Sequence, residues 1–587
     1  MDKNTITAIV LSTIVIIAGF TAQSIFFPPQ PAPLPAATEQ VNEAVLAEPA
    51  VNSPEAAVLE PAQSAVTLET GTDDEVVSEE RPVIETPLIR VEFTNRGGDV
   101  VSYKLKEHKS GTDYLEMADY VTSGNRAFSI ILGDAKGAAV DKLFHVKRIS
   151  DTEIGFYRTI TLKNADGSES RFTLAKQYTF KSDDYMFELK VVIDGDDSFR
   201  GLSMQNAAYT IRTSPQIGPD WDPKQDKYEY RRFYHLLNGK KKTINVGLGQ
   251  TKAFTDAFSW SGVAGKYFTL IAVPGSPVLQ YEYSTAQIAG NKNAAQIFLT
   301  RPAIAGGRQT DTWRFYVGPR TDKSLAKYNV AGNNPWGIDN LKANDIVDTS
   351  GILGPLEVFL KWIMELFYAL IPNWGVSIIL MTILMRVVIF PLTKKSSEAT
   401  LKMQELQPKI QEIQTKYKDN QQKMNEEMAK FYQSAGYNPL SGCLPMLIQF
   451  PLIFAMYNLF NNYFEFRGAM FIPGWIPDLS HGDSIMALPF TVPIVGWSEL
   501  RILPIVYVVS QLLFGKVTQT PTSGQQNGTM KIMMYGMPLF FFFLFYNAPA
   551  GLILYWTLSN ILTLVQQVII NKMMHAKKKG GELKLVK

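Results

Sequence analysis

Five apolar segments, at about 373–393, 442–463, 500–516, 532–548 and 550–571, restrict this chain more than any other feature. Runs of this length are what a bilayer core of about 30 Å demands of a spanning helix. A sixth lies at the amino terminus, where Ile6 to Phe27 carries no charge and Lys3 precedes it. A cleaved signal peptide would look similar, and Ala18, Gly19 and Ala22 suit a cleavage site. The nearly neutral start and the length of the run favour an uncleaved signal anchor over 1–27. Six spans would put both termini on one side of the membrane.

Average composition conceals this pattern. The 46% hydrophobic content and net charge of +2 resemble those of a soluble protein, because charge crowds into the first 350 positions and one later stretch. So even a balance offers no clustered basic face for nucleic acid. The single cysteine, Cys443, excludes an internal disulfide and a thiolate zinc cage. Its apolar neighbours suit a small buried side chain.

Residues 28–86 hold nine prolines, twelve acidic residues and one base, Arg81. Such a segment buries too little apolar surface to offset its ordering entropy, so it reads as a disordered acidic tether. From 87 to 332 the hydrophobic period becomes two. Tyr185, Phe187, Leu189, Val191 and Ile193 alternate with other residues, as do Phe172, Leu174, Tyr178 and Phe180. Ser182-Asp183-Asp184 between them reads as a hairpin turn. Leu88 to Thr94, Tyr267 to Val273 and Thr312 to Val317 are further strand-like runs, which together predict an all-β antiparallel sandwich. Over 350–371 the period turns helical. Leu356, Phe359, Leu360, Ile363, Phe367 and Leu370 form one stripe, expected either at the membrane interface or against the β domain.

Charge sets the expected topology. The 394–438 loop contains eight lysines and the tail adds Lys577, Lys578 and Lys579, whereas 464–499 has only Arg467. Cytoplasmic segments carry such an excess of bases, so 394–438, the 576–587 tail and both termini are expected in the cytoplasm and 87–332 outside it. Within the loop, Met403, Leu406, Ile410, Ile413 and Tyr417 alternate spacings of three and four, a heptad seam. Asp419-Asn420 is a turn candidate, so a helical hairpin is expected, kinked at Pro408.

Arg386 is the one charge deep inside these spans. It lies eight residues before Lys394, about 12 Å deeper at 1.5 Å per residue. Burial in lipid costs an arginine at least about 2.5–3.5 kcal/mol. It either snorkels toward the headgroups or sits in a hydrated cavity where it meets something acidic. Thr382, one turn away, and Gln449, Asn458, Ser510, Gln511, Thr557, Ser559, Asn560, Gln566 and Gln567 favour the cavity, although singly each suits a helix–helix hydrogen bond. Ile502 to Phe514 is short for a span and would thin the bilayer.

Several motifs carry a resemblance to the YidC insertases, relatives of the mitochondrial Oxa and plastid Alb proteins. Asn373-Trp-Gly-Val-Ser-Ile, with Thr382 to Arg386 and Pro391-Leu392-Thr393, resembles that family's second span. Leu406-Gln-Pro-Lys-Ile410 is similar to the start of its cytoplasmic hairpin. Asn438-Pro-Leu-Ser-Gly-Cys-Leu-Pro445 with Ile448-Gln-Phe-Pro451 resembles its third span, and Pro549-Ala-Gly-Leu-Ile-Leu-Tyr-Trp556 through Gln566-Gln567 its sixth. Asn95-Arg-Gly-Gly-Asp-Val100 extends the likeness weakly into the β domain, which resembles the periplasmic supersandwich of the Gram-negative type.

The resemblance implies a six-span α-helical membrane domain over 372–575 and an insertase and chaperone of the bacterial inner membrane. Arg386 would lie in a groove open to cytoplasm and lipid, with Thr382, Gln449, Tyr555, Trp556 and Asn560 around it. Trp556 stands where the family has a tyrosine. Clients would be nascent inner-membrane proteins whose apolar helices leave along spans three and five. The implied partners are the Sec translocon, the signal recognition particle and its receptor, and the ribosome through the hairpin and basic tail. That tail suits anionic membrane lipid equally well.

The residues themselves offer no G-x-S-x-G elbow, H-E-x-x-H or Walker loop, so neither catalytic residues nor a metal or cofactor are expected. A transporter, or a membrane-bound binding protein for an anionic ligand, is the alternative. Paired intramembrane charges and an internal repeat would mark it.

Overall fold

In the computed structural model the described residues are 77–585 and the strand Thr67–Glu69, without 164–168, 222–227, 290–291, 349–350, 352, 419, 437–443, 493–494 and 519–534. The anchor 1–27, most of the tether, Cys443 and the start of the 532–548 segment therefore lie outside the described residues. So do the side chains of Gln449 and of the tail lysines.

The two-residue period folds as expected. Strand Met186–Gly195 pairs antiparallel with Glu169–Thr179 on one side and with Arg308–Pro319 on the other. These strands belong to a ten-stranded sheet, accompanied by five- and four-stranded sheets. One continuous apolar core draws on all three. Phe187 and Phe315 of the large sheet pack on Phe128, at 5.0 and 4.9 Å between ring centroids. A polar stitch also crosses the core. The Tyr209 hydroxyl donates to Asp311 (2.8 Å) and accepts from the Trp313 indole (3.0 Å). Such bonds satisfy polar groups that burial would otherwise penalise.

The Asn95–Val100 motif has a structural task in this domain. Gly97 and Gly98 take positive φ, the left-handed region that glycine enters without strain. That turn delivers Asp99 to two buried cations, the Lys176 ammonium at 2.6 Å and the Arg126 guanidinium at 2.9 Å.

Beyond the sandwich the described residues include the helices α1 (Gly354–Leu370), α2 (Trp374–Lys416), α3 (Gln421–Ser434), α4 (Leu444–Asn462), α5 (Leu503–Thr518), α6 (Met537–Phe545) and α7 (Ala550–Leu585). Of the described helices, Trp374–Ala399 and Ala550–Met573 are long and apolar enough to cross a membrane, and Leu503–Gly515 is a shorter apolar helix. Among the described residues, two helices are therefore evident as spans by length and composition.

The helix that holds the 373–393 segment runs on through Pro391 and Pro408 to Lys416, so the first arm of the expected hairpin continues it. Asn420 then caps α3 by accepting from the Lys423 N–H (3.0 Å), and Lys402 reaches back to the Gly436 carbonyl (3.3 Å), which closes the hairpin. The apolar stripe of α1 is divided between two faces. Leu360, Ile363 and Met364 are buried among the other helices, whereas Phe359, Trp362, Leu366 and Leu370 are exposed. Glu357 and Glu365 accept from Asn458 and Tyr463, which fixes the inner face on α4 and its end, not on the β domain.

The segment after α4 joins the two halves. Phe464 inserts among His108, Phe268 and Tyr267, at ring distances of 5.3, 5.6 and 6.0 Å. Arg467 lies over the Phe268 ring and donates to the Lys109 carbonyl (2.7 Å). Beyond it, the Leu479 and His481 carbonyls accept from the Gly551 and Ala550 N–H groups at the start of α7 (3.0 and 2.7 Å). The Asp483 carboxylate accepts from the Trp475 indole and from Ile502 and Leu503 at the start of α5 (2.9, 2.9 and 2.8 Å).

Candidate functional site: a lone guanidinium between two long helices

Arg386 projects from α2 toward α7. Its guanidinium donates to the Ser559 hydroxyl, and its backbone carbonyl accepts from the Gln566 amide (2.9 Å). Ser559 and Gln566 are seven positions apart, two helical turns, so one face of α7 serves both ends of the residue. Farther along α2, Ser397 donates to Gln567 (3.2 Å). The ion pairs of the described residues do not include Arg386.

The other expected residues divide into three groups. Tyr555 is buried one turn before Ser559, its ring 5.6 Å from Phe460 of α4. Thr382 is buried as well, and its hydroxyl returns to the Ile378 carbonyl of its own helix (2.6 Å). It shares a face with Arg386 but does not bond to it. Asn560 and Trp556 turn to α5: Asn560 donates to Ser510 (3.1 Å), and the Trp556 ring lies between Tyr507 and Phe545, at 5.9 and 4.7 Å. The Gln449 side chain lies outside the described residues. Ser559 and Gln566 stand among the polar groups of the spans, but the sequence does not assign them to Arg386. No periodicity connects positions 173 and 180 residues apart.

This constellation contains no nucleophile–base pair and no cluster of metal ligands among the described residues. It presents a fixed cation with neutral hydrogen-bond partners. The Gln566 Oε1 and Thr557 Oγ1 atoms have no protein partner among the described residues. What such a site can do is attract an anionic group.

Comparison with known proteins places the chain. A family profile described as 60Kd inner membrane protein matches residues 366–578, and one described as YidC periplasmic domain matches 81–341. The membrane protein insertase YidC of Treponema denticola is 53% identical over 588 residues, covering 98% of this chain and all of the relative. The chain belongs to the YidC insertase family. The Treponema pallidum member is 44% identical, covering 97% of this chain and 99% of that one. A solved structure of an active YidC insertase with its first transmembrane domain resolved covers 84% of this chain and 92% of its own, at 18% identity and a TM-score of 0.32. Membership makes this an inner-membrane protein with a periplasmic domain, which is the sandwich described above.

Proposed function

We propose that this chain inserts membrane proteins by receiving their hydrophilic segments beside Arg386 while their apolar helices pass into lipid. The observation that carries the reading is the guanidinium itself, half-buried, held by a neutral hydroxyl and without a carboxylate partner among the described residues. A charge so placed is costly unless water or an arriving acidic segment compensates it. Burial of the client's apolar helix supplies the driving force, at about 25 cal/mol per Å² removed from water.

The reading extends to a chaperone role and to a groove that includes Thr382, Gln449, Tyr555, Trp556 and Asn560. It takes 372–575 as a five-span membrane domain behind the 1–27 anchor, with 28–86 as tether, 87–332 as periplasmic sandwich, 350–371 at the interface and 576–587 as a basic tail. Both termini are then cytoplasmic. Contacts with the Sec translocon, the signal recognition particle and its receptor, and the ribosome belong to the same proposal.

The test is thiol accessibility in a Cys443→Ser background, with single cysteines along 376–392 and 553–567. Labelling near Arg386 by a membrane-impermeant reagent from the cytoplasmic side alone supports the groove. Labelling only beyond Pro391 shows that Arg386 snorkels, and the groove is then abandoned.

A further inference from the structure

Between Asp483 and Glu499 lie fifteen residues without a charge. The described part of this stretch is a hairpin in which Met486–Ala487 pairs with Glu499–Leu500. Part of its polar backbone is paired internally. Ile485, Leu488 and Val492 donate to the carbonyls of Leu500, Ser498 and Trp497 (3.1, 2.8 and 2.8 Å). Its side chains are less sheltered: Ile485, Met486 and Phe490 are 43%, 51% and 62% exposed. Neighbouring positions in a strand face opposite ways, and the two strand residues Met486 and Ala487 are both exposed, so apolar groups show on both faces.

The direction of the hairpin follows from its aromatic contacts. At its base Glu499 pairs with Arg501 (3.0 Å), and the Tyr546 hydroxyl donates to the Glu499 carbonyl (2.9 Å). Toward its tip, Trp497 stacks on Tyr546 (3.6 Å) and also meets Phe543 and Phe542, both at 5.6 Å. Those two rings are about one turn farther into α6 than Tyr546. The hairpin thus folds back along α6 and away from the charged pair at its base. Leu539, Phe540, Phe543 and Leu544 of α6 are at least half exposed and continue the same apolar surface.

The geometry points to a lipid-facing hairpin: the side chains of Ile485, Met486 and Phe490 reach the phospholipid acyl chains of the periplasmic leaflet, beside α6. Two features select lipid over a protein partner. A docked protein covers one face, whereas both faces here are apolar and exposed. Trp497 and Tyr546 form a belt of the kind found at headgroup level. The inference rests on α6 being a membrane span, as in the function proposed above.

The test uses the full-length chain in the Cys443→Ser background, with Phe490→Cys, Phe543→Cys and Leu248→Cys each carrying a polarity-sensitive fluorophore. Vesicles of phosphatidylethanolamine and phosphatidylglycerol contain nitroxide on the upper acyl chain, and iodide quenches from water. Leu248, 75% exposed on the β domain, is the aqueous reference, and Phe543 reports on α6. The inference expects Phe490→Cys to match Phe543→Cys, with blue-shifted emission, quenching by nitroxide lipid and loss of iodide quenching. It is overturned if Phe490→Cys matches Leu248→Cys, or if neither quencher reaches it, which means that protein covers the hairpin. A Phe543→Cys probe quenched by iodide instead of lipid removes the span from beneath both readings.

Discussion

At the scale of single residues, Arg386 is defined by what holds it. A hydrogen bond to a charged group contributes about 1.5–3 kcal/mol. Ser559→Ala is therefore expected to free the guanidinium and slow client insertion several-fold, with less effect on the yield of folded protein. Equal losses of insertion and yield would count against a role in holding Arg386. His108 offers a pH test. Burial, and then the Arg467 charge, lower its pKa from the usual 6.5 to about 4, against an opposing pull from Glu107. The folded state resists protonation, so its contribution to stability is full above about 6.5 and is lost as pH falls toward 4. Thermal unfolding of the intact protein should weaken across that window. The decline should be shallower in His108→Phe, the other histidines being unchanged. Gly375 is small for a local reason: a Cβ there would collide with the Phe471 ring. Gly375→Ala should cost about 1–3 kcal/mol by displacing that ring, read as a lower unfolding midpoint.

Elements differ in how plainly sequence announces them. The strands around Phe187 were legible because one face meets a core and a two-residue period records that. The lone charge in the apolar first half of α2 was legible because nothing nearby resembles it. The buried face of α1 was not: apolar residues surround most of that helix, and an average stripe cannot separate the Leu360–Ile363–Met364 side from the exposed Phe359–Trp362–Leu366 side. Nor does the charge that begins at Lys394 announce that one helix carries both the apolar segment and the first arm of the hairpin. Helix caps were equally hidden. Asp483 stands 20 residues before the Leu503 N–H that it accepts from. Removing a capping carboxylate costs about 0.5–2 kcal/mol. Asp483→Ala should therefore loosen the start of α5, and disulfide formation between Ser510→Cys and Asn560→Cys should fall. Asp483→Asn, which retains an acceptor, should recover most of that crosslinking.

For the whole molecule, the two halves obey different solvents. The sandwich is held by an apolar core with charges locked inside it, and the Asn95–Val100 motif, legible only as a resemblance, proves to be one such lock. Asp99→Ala leaves Lys176 and Arg126 buried without their carboxylate, a situation that costs about 3–5 kcal/mol. Loss of the periplasmic domain's protease resistance, with insertion by the helical part less affected, is the expected outcome. The helical part instead leaves its apolar faces outward, on Val387, Val388, Val509, Phe540 and Val565, as a protein solvated by lipid must.

The unbroken course of α2 has a mechanical consequence. At 1.5 Å per residue its 43 residues make a shaft of about 64 Å. Arg386 sits in one half of this shaft and the α3 hairpin is hinged to its far end, with no loop between to absorb movement. The Ser397–Gln567 contact lies near its middle, where a fulcrum would be. A tilt at the hairpin end of one continuous helix is thereby a tilt at the Arg386 end as well.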